Sequence, residues 1–365
     1  MSAVGTLYRV TLFGESHGQG VGAVVLGCPP GIPFDAAFIQ GQLDRRRPGQ
    51  SAVTTQRKEA DTLQVLSGVL DGTTTGAPAT LYASNGDIDS SKYKKEIPRP
   101  GHADLSAYLK FFGHHDPRGA GHFGGRLTFG LVAAGALARL ALRRFRVDIQ
   151  AYTDEIGGLR LASEPDWDQA ARHIDTNAVR CPDPELAKRI QELILKTRNK
   201  GDSVGGVVRC RIRNLPPGLG GYHAESFESE MARLMFGIPA VKGVEFGRGF
   251  ALSRLKGSES NDPIGIVEGR PRTTTHLQGG VVGGITDGNV VDFGVAFKPT
   301  SSLTLDQSTV DLATKRPTKV STQGRHDPCI VPRAVVVVEN AAAIVALDLL
   351  LRRLSETAFH EGGPT

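Results

Sequence analysis

Residues 13–20 read FGESHGQG, and within them Gly14-Glu15-Ser16-His17-Gly18 satisfies G-x-S-x-G. That pattern marks the strained strand-to-helix turn that exposes a nucleophilic serine in α/β-hydrolases. The turn needs a core strand before the serine and a helix after it. The strand is present in TLYRVTLFG, but QGVGAVVLGCPPG follows, rich in glycine and valine and closed by two prolines. The match also comes too early for preceding strands to supply an oxyanion loop. The serine nucleophile is therefore set aside. What remains is a glycine-flanked turn that brings His17 close to a ligand, with Ser16 as a supporting hydrogen-bonder. An imidazole titrates near neutral pH and so gives or takes a proton at working pH.

Other short segments carry compatible chemistry. RPGHADL (99–105) puts Arg99, His102 and Asp104 in one loop, joining a permanent forked donor to a movable proton. GAGHFGGR (119–126) contains G-x-G-x-x-G at Gly119, Gly121 and Gly124. No apolar strand precedes it, since FFGHHDPR does, so a dinucleotide fold is excluded. A glycine-rich loop before an apolar helix still suits an anion, because free N–H groups and the helix dipole face it. AFKPTSSL (296–303) adds a lysine and hydroxyls, GRHDPCIVPRAV (324–335) adds Arg325, His326 and Asp327, and DRRRPGQ adds Arg46. His102, Asp104, His114, His115, Asp116 and His122 lack the spacing of a known metal motif. The recurrence of Arg, His or Lys beside Gly or Pro points to a polyanionic small ligand held by many loops.

Composition narrows the class. Glycine accounts for 45 of the 365 residues, well above the usual share of about 7%, which implies many tight turns and close backbone approaches. The net charge of +5 comes from short clusters rather than a basic tail, and stacking aromatics are sparse, so nucleic acid is not an expected partner. Cys28, Cys181, Cys210 and Cys329 are scattered, which signals neither zinc nor a disulfide framework and fits a reducing cytoplasm. No signal peptide is seen, and no membrane partner is expected. The longest apolar runs are broken by Arg139 in one case and by Glu339 and Asp348 in the other.

These loops need a scaffold. TLYRVTLFG and GVGAVVLG read as strands, and residues 35–44 as a short helix running into the arginines. Residues 48–61 are irregular, and KYKKEIPRPGHAD reads as an exposed loop. RLTFGLVAAGALARLALRRF reads as a buried helix covered on most sides. Pro184 to Arg198 forms a second helix, with Asp183 as N-cap, an apolar stripe of Leu186, Ile190, Leu193 and Ile194, and Gly201 after its end. VGGVVRCRIRNL alternates as a strand and AESFESEMARLMF is helical. GGVVGGITDGNVVDFGVAFKP predicts a hairpin turning at Asp-Gly. PRAVVVVENAAAIVALDLLLRRL predicts a long C-terminal helix whose valine-rich start also suits a strand. Mixed elements without a β-α-β-α rhythm favour a layered α+β architecture.

Taken in order, GESHG, LDRRRPGQS, TTQRKEAD, LSGVLDGTTTGAP, RPGHAD, VAAGALA, GDSVGGVV, PPGLG, IPAVKGVEFG, GGVVGGI, FKPTSS and GRHDPCIVPRAV resemble the chorismate synthase family over almost the whole chain. The resemblance implies one catalytic domain over 1–365, with antiparallel sheets enclosing core helices in a β-α-β sandwich, and a homotetramer. It implies anti-1,4-elimination of phosphate from 5-enolpyruvylshikimate 3-phosphate to give chorismate, the last step of the shikimate pathway, requiring reduced FMN without net redox change. Reduction of the flavin by NADPH and by an external reductant are both compatible with the residues.

Carried onto this chain, the resemblance makes His17, His102 and Asp327 catalytic, as acid, second acid and base. Ser16, Arg46, Arg99, Arg126 and Arg325 would meet the substrate. Phe123, Gly124, Gly125, Ala240, Gly283, Lys298, Pro299, Thr300, Ser301, Ser302 and Arg325 would meet the flavin. The chain departs from the family at the glycine loop, where G-G-G-R-S-S-A-R-E-T becomes GAGHFGGRLT, at Ala52 after RRRPGQS, and at His276-Leu277-Gln278 before Gly279-Gly280. The competing readings are a flavoprotein of the same fold acting on another anion, and a non-catalytic anion-binding homologue.

Overall fold

The structure is a computed structural model that describes residues 3–358 except 52, 55–58, 87–89, 91–93, 268 and 323–325. Two five-stranded antiparallel sheets form its outer layers. The first contains β1 (Ala3–Val4), β2 (Arg9–Gly14), β3 (Gly20–Leu26), β4 (Gln64–Ser67) and β5 (Ala79–Ser84), ordered β1-β2-β3-β5-β4. The second contains β6 (Asp148–Ile156), β7 (Leu159–Arg160), β8 (Gly206–Arg213), β9 (Val241–Phe246) and β10 (Val291–Phe297), ordered β9-β10-β8-β6-β7. In β8 the period of two is plain: Val208, Cys210 and Ile212 face the core, while Arg209, Arg211 and Arg213 point to the other face. There Arg211 lies over Tyr152 and Trp167, and Arg213 over Trp167.

Between the sheets lie α3 (Thr128–Leu142) and α6 (Val331–Thr357), and α1 (Ala36–Arg46) packs on both of these helices. Helix α3 packs on β2, β3 and β5, α6 packs on β6 and β8, and the two helices pack on each other. Their contact is close: a Cβ on Gly135 would lie 2.0 Å from the carbonyl oxygen of Asn340. Burial on both sides explains why the α6 valine run is helical, since packing overrides the β-preference of branched residues. By length and apolarity α3 with its flanking turns and α6 would both suffice to cross a membrane, yet each is almost wholly buried in this core. The charges that interrupt them have partners. Arg139 Nη1 donates to Glu339 at 2.6 Å, and Arg45 donates to the same carboxylate at 2.9 Å. Asp348 accepts from the backbone N–H groups of Thr6, Leu7 and Tyr8.

Outside the core, α2 spans Asp104–Lys110, α4 Pro184–Asn199 and α5 Phe227–Met235. Asp183 caps α4 as expected, accepting from Glu185 N and Leu186 N. Two expectations are corrected. The strands flanking Asp287-Gly288 do not form a hairpin with each other. Instead Val281–Val282 pairs with Ile285–Thr286 across Gly283-Gly284, and β10 runs between β8 and β9. Both edges of β10 are occupied, which leaves no edge for the expected partner. KYKKEIPRPGHAD (92–104) is also not exposed throughout its described residues: Lys94 and Lys95 are, but Pro98 and Arg99 are buried, because Arg99 finds a carboxylate of its own loop.

Candidate active site

The turn carrying His17 joins β2 to β3 and is closed by Gly18 N donating to Glu15 O. Ser16 and His17 are 3% and 6% exposed. His17 Nδ1 lies 2.9 Å from Ser90 Oγ. The glycine loop packs directly on this turn. Ser16 N donates to Gly121 O at 3.1 Å, and His122 Nδ1 donates to Gly14 O at 2.9 Å. At Gly119, with φ +55°, a Cβ would lie 2.4 Å from His17 Cδ2 and 2.6 Å from Ser16 Oγ. The glycine is thus required both by its left-handed backbone and by the imidazole against it. Gly124 closes on Ser16 alone, its missing Cβ 3.2 Å from that of Ser16, whereas Gly125 faces open space. Leu127, where the family places glutamate, is in the core.

Next to this turn lies a buried charge cluster. Asp61 accepts from Arg46 Nη2 through one oxygen and from Arg126 Nη1 through the other. Burial alone would raise the Asp61 carboxyl, but the two guanidinium groups outweigh it and hold it below the usual carboxylate range. Arg46 is 1% exposed. Its Nη1 also donates to Thr128 Oγ1 and Gly125 O, and burial lowers its pKa to about 10, so it is charged at neutral pH. Both Nη atoms of Arg46, expected at the substrate, are bonded to protein groups, and its Nε is buried without a partner among the described residues. Arg126 Nε donates to Asn85 Oδ1 at 2.7 Å. Arg333 donates through Nε to Arg46 O at 2.9 Å and through Nη1 to Asp327, so the expected base is an ion-paired carboxylate.

A third group is built by the 99–104 loop. Arg99 makes a forked contact with Asp104, through Nε at 2.7 Å and Nη2 at 2.9 Å. His102 Nδ1 lies 2.6 Å from Asp104 Oδ1. An ionised carboxylate can only accept, so Nδ1 carries the proton and donates to Asp104, and Arg99 Nη2, 3.3 Å from the same nitrogen, makes no hydrogen bond to it. Burial raises the Asp104 carboxyl, yet its bonds to His102 and Arg99 prevail and set it well below the ordinary range. Lys298 Nζ donates to Gly101 O at 2.7 Å and contacts Ser301 Oγ, and Arg99 Nη1 reaches Ser302 Oγ at 3.5 Å. Burial and Lys242 lower the Lys298 pKa. Ala240 joins this group, its carbonyl accepting from Lys298 N.

The groups adjoin. His115 and Pro117 line a cavity of about 200 Å³ together with Arg99, Asp104, Lys94 and Lys319. Between them sits Asp116, whose pKa is lowered chiefly by Arg118 and also by His17. On the other side Pro328 O accepts from Val204 N, and Ser203 Oγ donates to Thr300 O, bringing the Asp327 loop to the 298–302 segment. Phe123 is exposed, its ring 6.4 Å from that of Phe111. Gly283 is not drawn in: its turn is bonded to 219–227 through Gly284 O to Phe227 N and the Gly220–Ile285 bridge. Arg325 and Ala52 lie outside the described residues. A larger cavity of about 700 Å³ lies elsewhere, lined by Tyr152, Asp154, Arg209, Glu245 and Asp292. Arg209 there is bound to Asp292 and Arg160 to Asp154.

Motif reading missed Asp61, Asn85, Ser90 and Arg333. Asp61 ends the quoted TTQRKEAD, and its left-handed φ of +50° is a backbone property that composition does not reveal.

Comparison with known proteins identifies the family. The family model described as chorismate synthase matches residues 8–351. A chorismate synthase of Aeropyrum pernix is 48% identical over 354 residues, covering 96% of this chain and 93% of its own. One of Korarchaeum cryptofilum is 47% identical, covering 95% and 96%. A crystal structure of a chorismate synthase superposes with a TM-score of 0.74 at 28% identity, over 96% of this chain and 93% of that one. With the family model matching almost the whole chain and these relatives close to half identical, the chain belongs to the chorismate synthase family.

Proposed function

We propose that this chain carries out the reaction for which its relatives are named: 1,4-elimination of phosphate from 5-enolpyruvylshikimate 3-phosphate, giving chorismate at the end of the shikimate pathway. The observation that carries this reading is His17 seated on the bare face of Gly119, one hydrogen-bonded layer from Arg126. An imidazole linked through Asn85 to a guanidinium supports this reading, because loss of a phosphate needs a proton donor and positive charge.

Reduced FMN is part of the proposal, and the residues fit it. Thr300 Oγ1 is buried without a partner among the described residues. Lys298, Ser301 and Ser302 add donors on the same segment, and Phe123 offers an exposed ring. Lys298–Ser302 and Ala240 would hold the cofactor, together with Arg325 and the 123–125 loop; Gly283 would do so only from another subunit. When bound, the reduced flavin supplies electron density transiently to the substrate ring and recovers it, which leaves the reaction redox-neutral.

The chain's own residues then divide the work. Arg126 and Arg99 face the substrate anions, with Arg46 and Asp61 fixing the floor beneath Arg126. His17 gives a proton to the departing phosphate, with Ser16 beside it. His102 holds an exchangeable proton at Nε2 while Asp104 fixes its other nitrogen. Asp327, ion-paired with Arg333, takes a proton. The catalytic unit is one domain working as a homotetramer in the cytoplasm, a setting that four free, buried cysteines suit.

The test is phosphate release under anaerobic conditions with photoreduced FMN. Turnover only with reduced flavin supports the proposal. Substrate binding without turnover, or turnover indifferent to flavin, overturns it.

A further inference from the structure

The His17 turn is held by one side chain that no motif contains. Asn85, just past the end of β5, donates through Nδ2 to Glu15 O at 3.0 Å and to Gly18 O at 2.9 Å. These carbonyls stand on either side of Ser16-His17, and the Asn85 backbone N–H adds a bond to Gln19 O. An asparagine amide can usually be turned end for end, but here its direction is set. Oδ1 accepts from Arg126 Nε at 2.7 Å, and a guanidinium can only donate, so Nδ2 must face the two carbonyls. Arg126 is itself fixed by Asp61 and by Ser84 O. A continuous chain of hydrogen bonds therefore runs from the buried Asp61 carboxylate through Arg126 and Asn85 to the turn that presents His17.

We propose that Asn85 is a positioning residue for His17: its amide, oriented by Arg126, fixes the turn 15–18 and so the direction in which the imidazole points. Arg126 thereby has two duties, facing the substrate anions and setting the amide. This rests on the reading of His17 as the proton donor. It explains why a polar side chain at a strand end is bonded on both sides rather than solvated. It also predicts that the acid's aim is lost when the amide loses its donors, even if Arg126 keeps its acceptor.

Asn85→Asp makes that separation, since a carboxylate still accepts from Arg126 but turns an acceptor toward both carbonyls. Asn85→Ala removes both functions and serves if the first variant misfolds. Each is assayed as the full chain with photoreduced FMN, and each is checked for a cooperative melt. The ring nitrogen shifts of His17 are read by NMR, assigned by their disappearance in His17→Gln. The expected result is a fall in kcat of about tenfold to a hundredfold, the size that a small misplacement of a reacting group produces. KM should change by less than about twofold, and the His17 ring shifts should move in both variants. A folded variant with unchanged kcat and unchanged His17 shifts overturns the proposal, and so does a loss of kcat with unmoved His17 shifts. If His17→Gln itself keeps full turnover, the acid role fails, and the His17 shifts in the Asn85 variants still decide whether Asn85 holds the turn.

Discussion

Asp104 Oδ1 accepts from His102 Nδ1 at 2.6 Å, and Arg99 grips the same carboxylate through two nitrogens. One charge therefore fixes both the tautomer of the histidine and the direction of the arginine. Asp104→Asn would keep the shape but offer an amide that can donate to His102, which favours the wrong tautomer. Turnover should fall by about a hundredfold, the usual scale for a misdirected acid or base, and the melting temperature should fall too, because buried Arg99 loses its counter-charge. Steady-state kinetics with pre-reduced flavin check this, and an unchanged kcat would remove His102 from the chemistry.

Asp61 is the only carboxylate bonded to Arg46 and Arg126 among the described residues. Its pKa is depressed in the folded chain, so its contribution to stability is present above the unfolded carboxylate pKa and lost as pH falls through the folded one. The wild-type protein should thus lose stability in the acid range, below about pH 4. Asp61→Asn leaves two buried guanidinium groups short of a counter-charge, which costs about 3–5 kcal/mol. It should also flatten the acid limb of stability against pH. Urea unfolding at pH 7 and at several pH values below 4 measures both effects, and equal slopes for the two proteins would exclude Asp61 as the source.

What was legible in the sequence follows from distance along the chain. Arg99, His102 and Asp104 lie within one loop, so their association is visible in the motif. The 184–199 helix carries its own cap and stop. Arg139 and Glu339 each read as a blemish in an apolar run, and only packing shows that each answers the other, 200 residues apart. Asp61 and Asn85 carry no local pattern, since their roles arise when the ends of two distant segments meet Arg126. The Asp287-Gly288 turn signal was outweighed because Gly283-Gly284, four residues earlier, closes a tighter pair and β10 already has two neighbours.

Gly119→Ala tests the contact between the glycine loop and the histidine. The new methyl group would meet the imidazole and the Ser16 hydroxyl, and alanine is disfavoured at φ +55°. A strained left-handed residue costs about 1–3 kcal/mol. Part of that strain should be relieved by displacing His17, so kcat should fall more than stability alone explains. Comparing kcat with the midpoint of thermal unfolding separates the two. Near wild-type turnover would mean that His17 does not need its present seat.

His122 stands where the family commonly has arginine, and its Nδ1 donates to Gly14 O at 2.9 Å. This bond ties the glycine loop to the strand end that leads into the His17 turn. Asparagine places an amide N–H at about the same distance from the backbone as imidazole Nδ1, whereas alanine places none. His122→Asn should therefore keep most of the stability and turnover. His122→Ala should lose about 1 kcal/mol, the net worth of one neutral hydrogen bond, and should loosen the loop over Ser16. Hydrogen exchange of the Ser16 amide, which donates to Gly121 O, reports that loosening directly. The order of protection expected is wild type, then Asn, then Ala. If the Ala and Asn variants exchange at the same rate, the histidine at this position is not the tether.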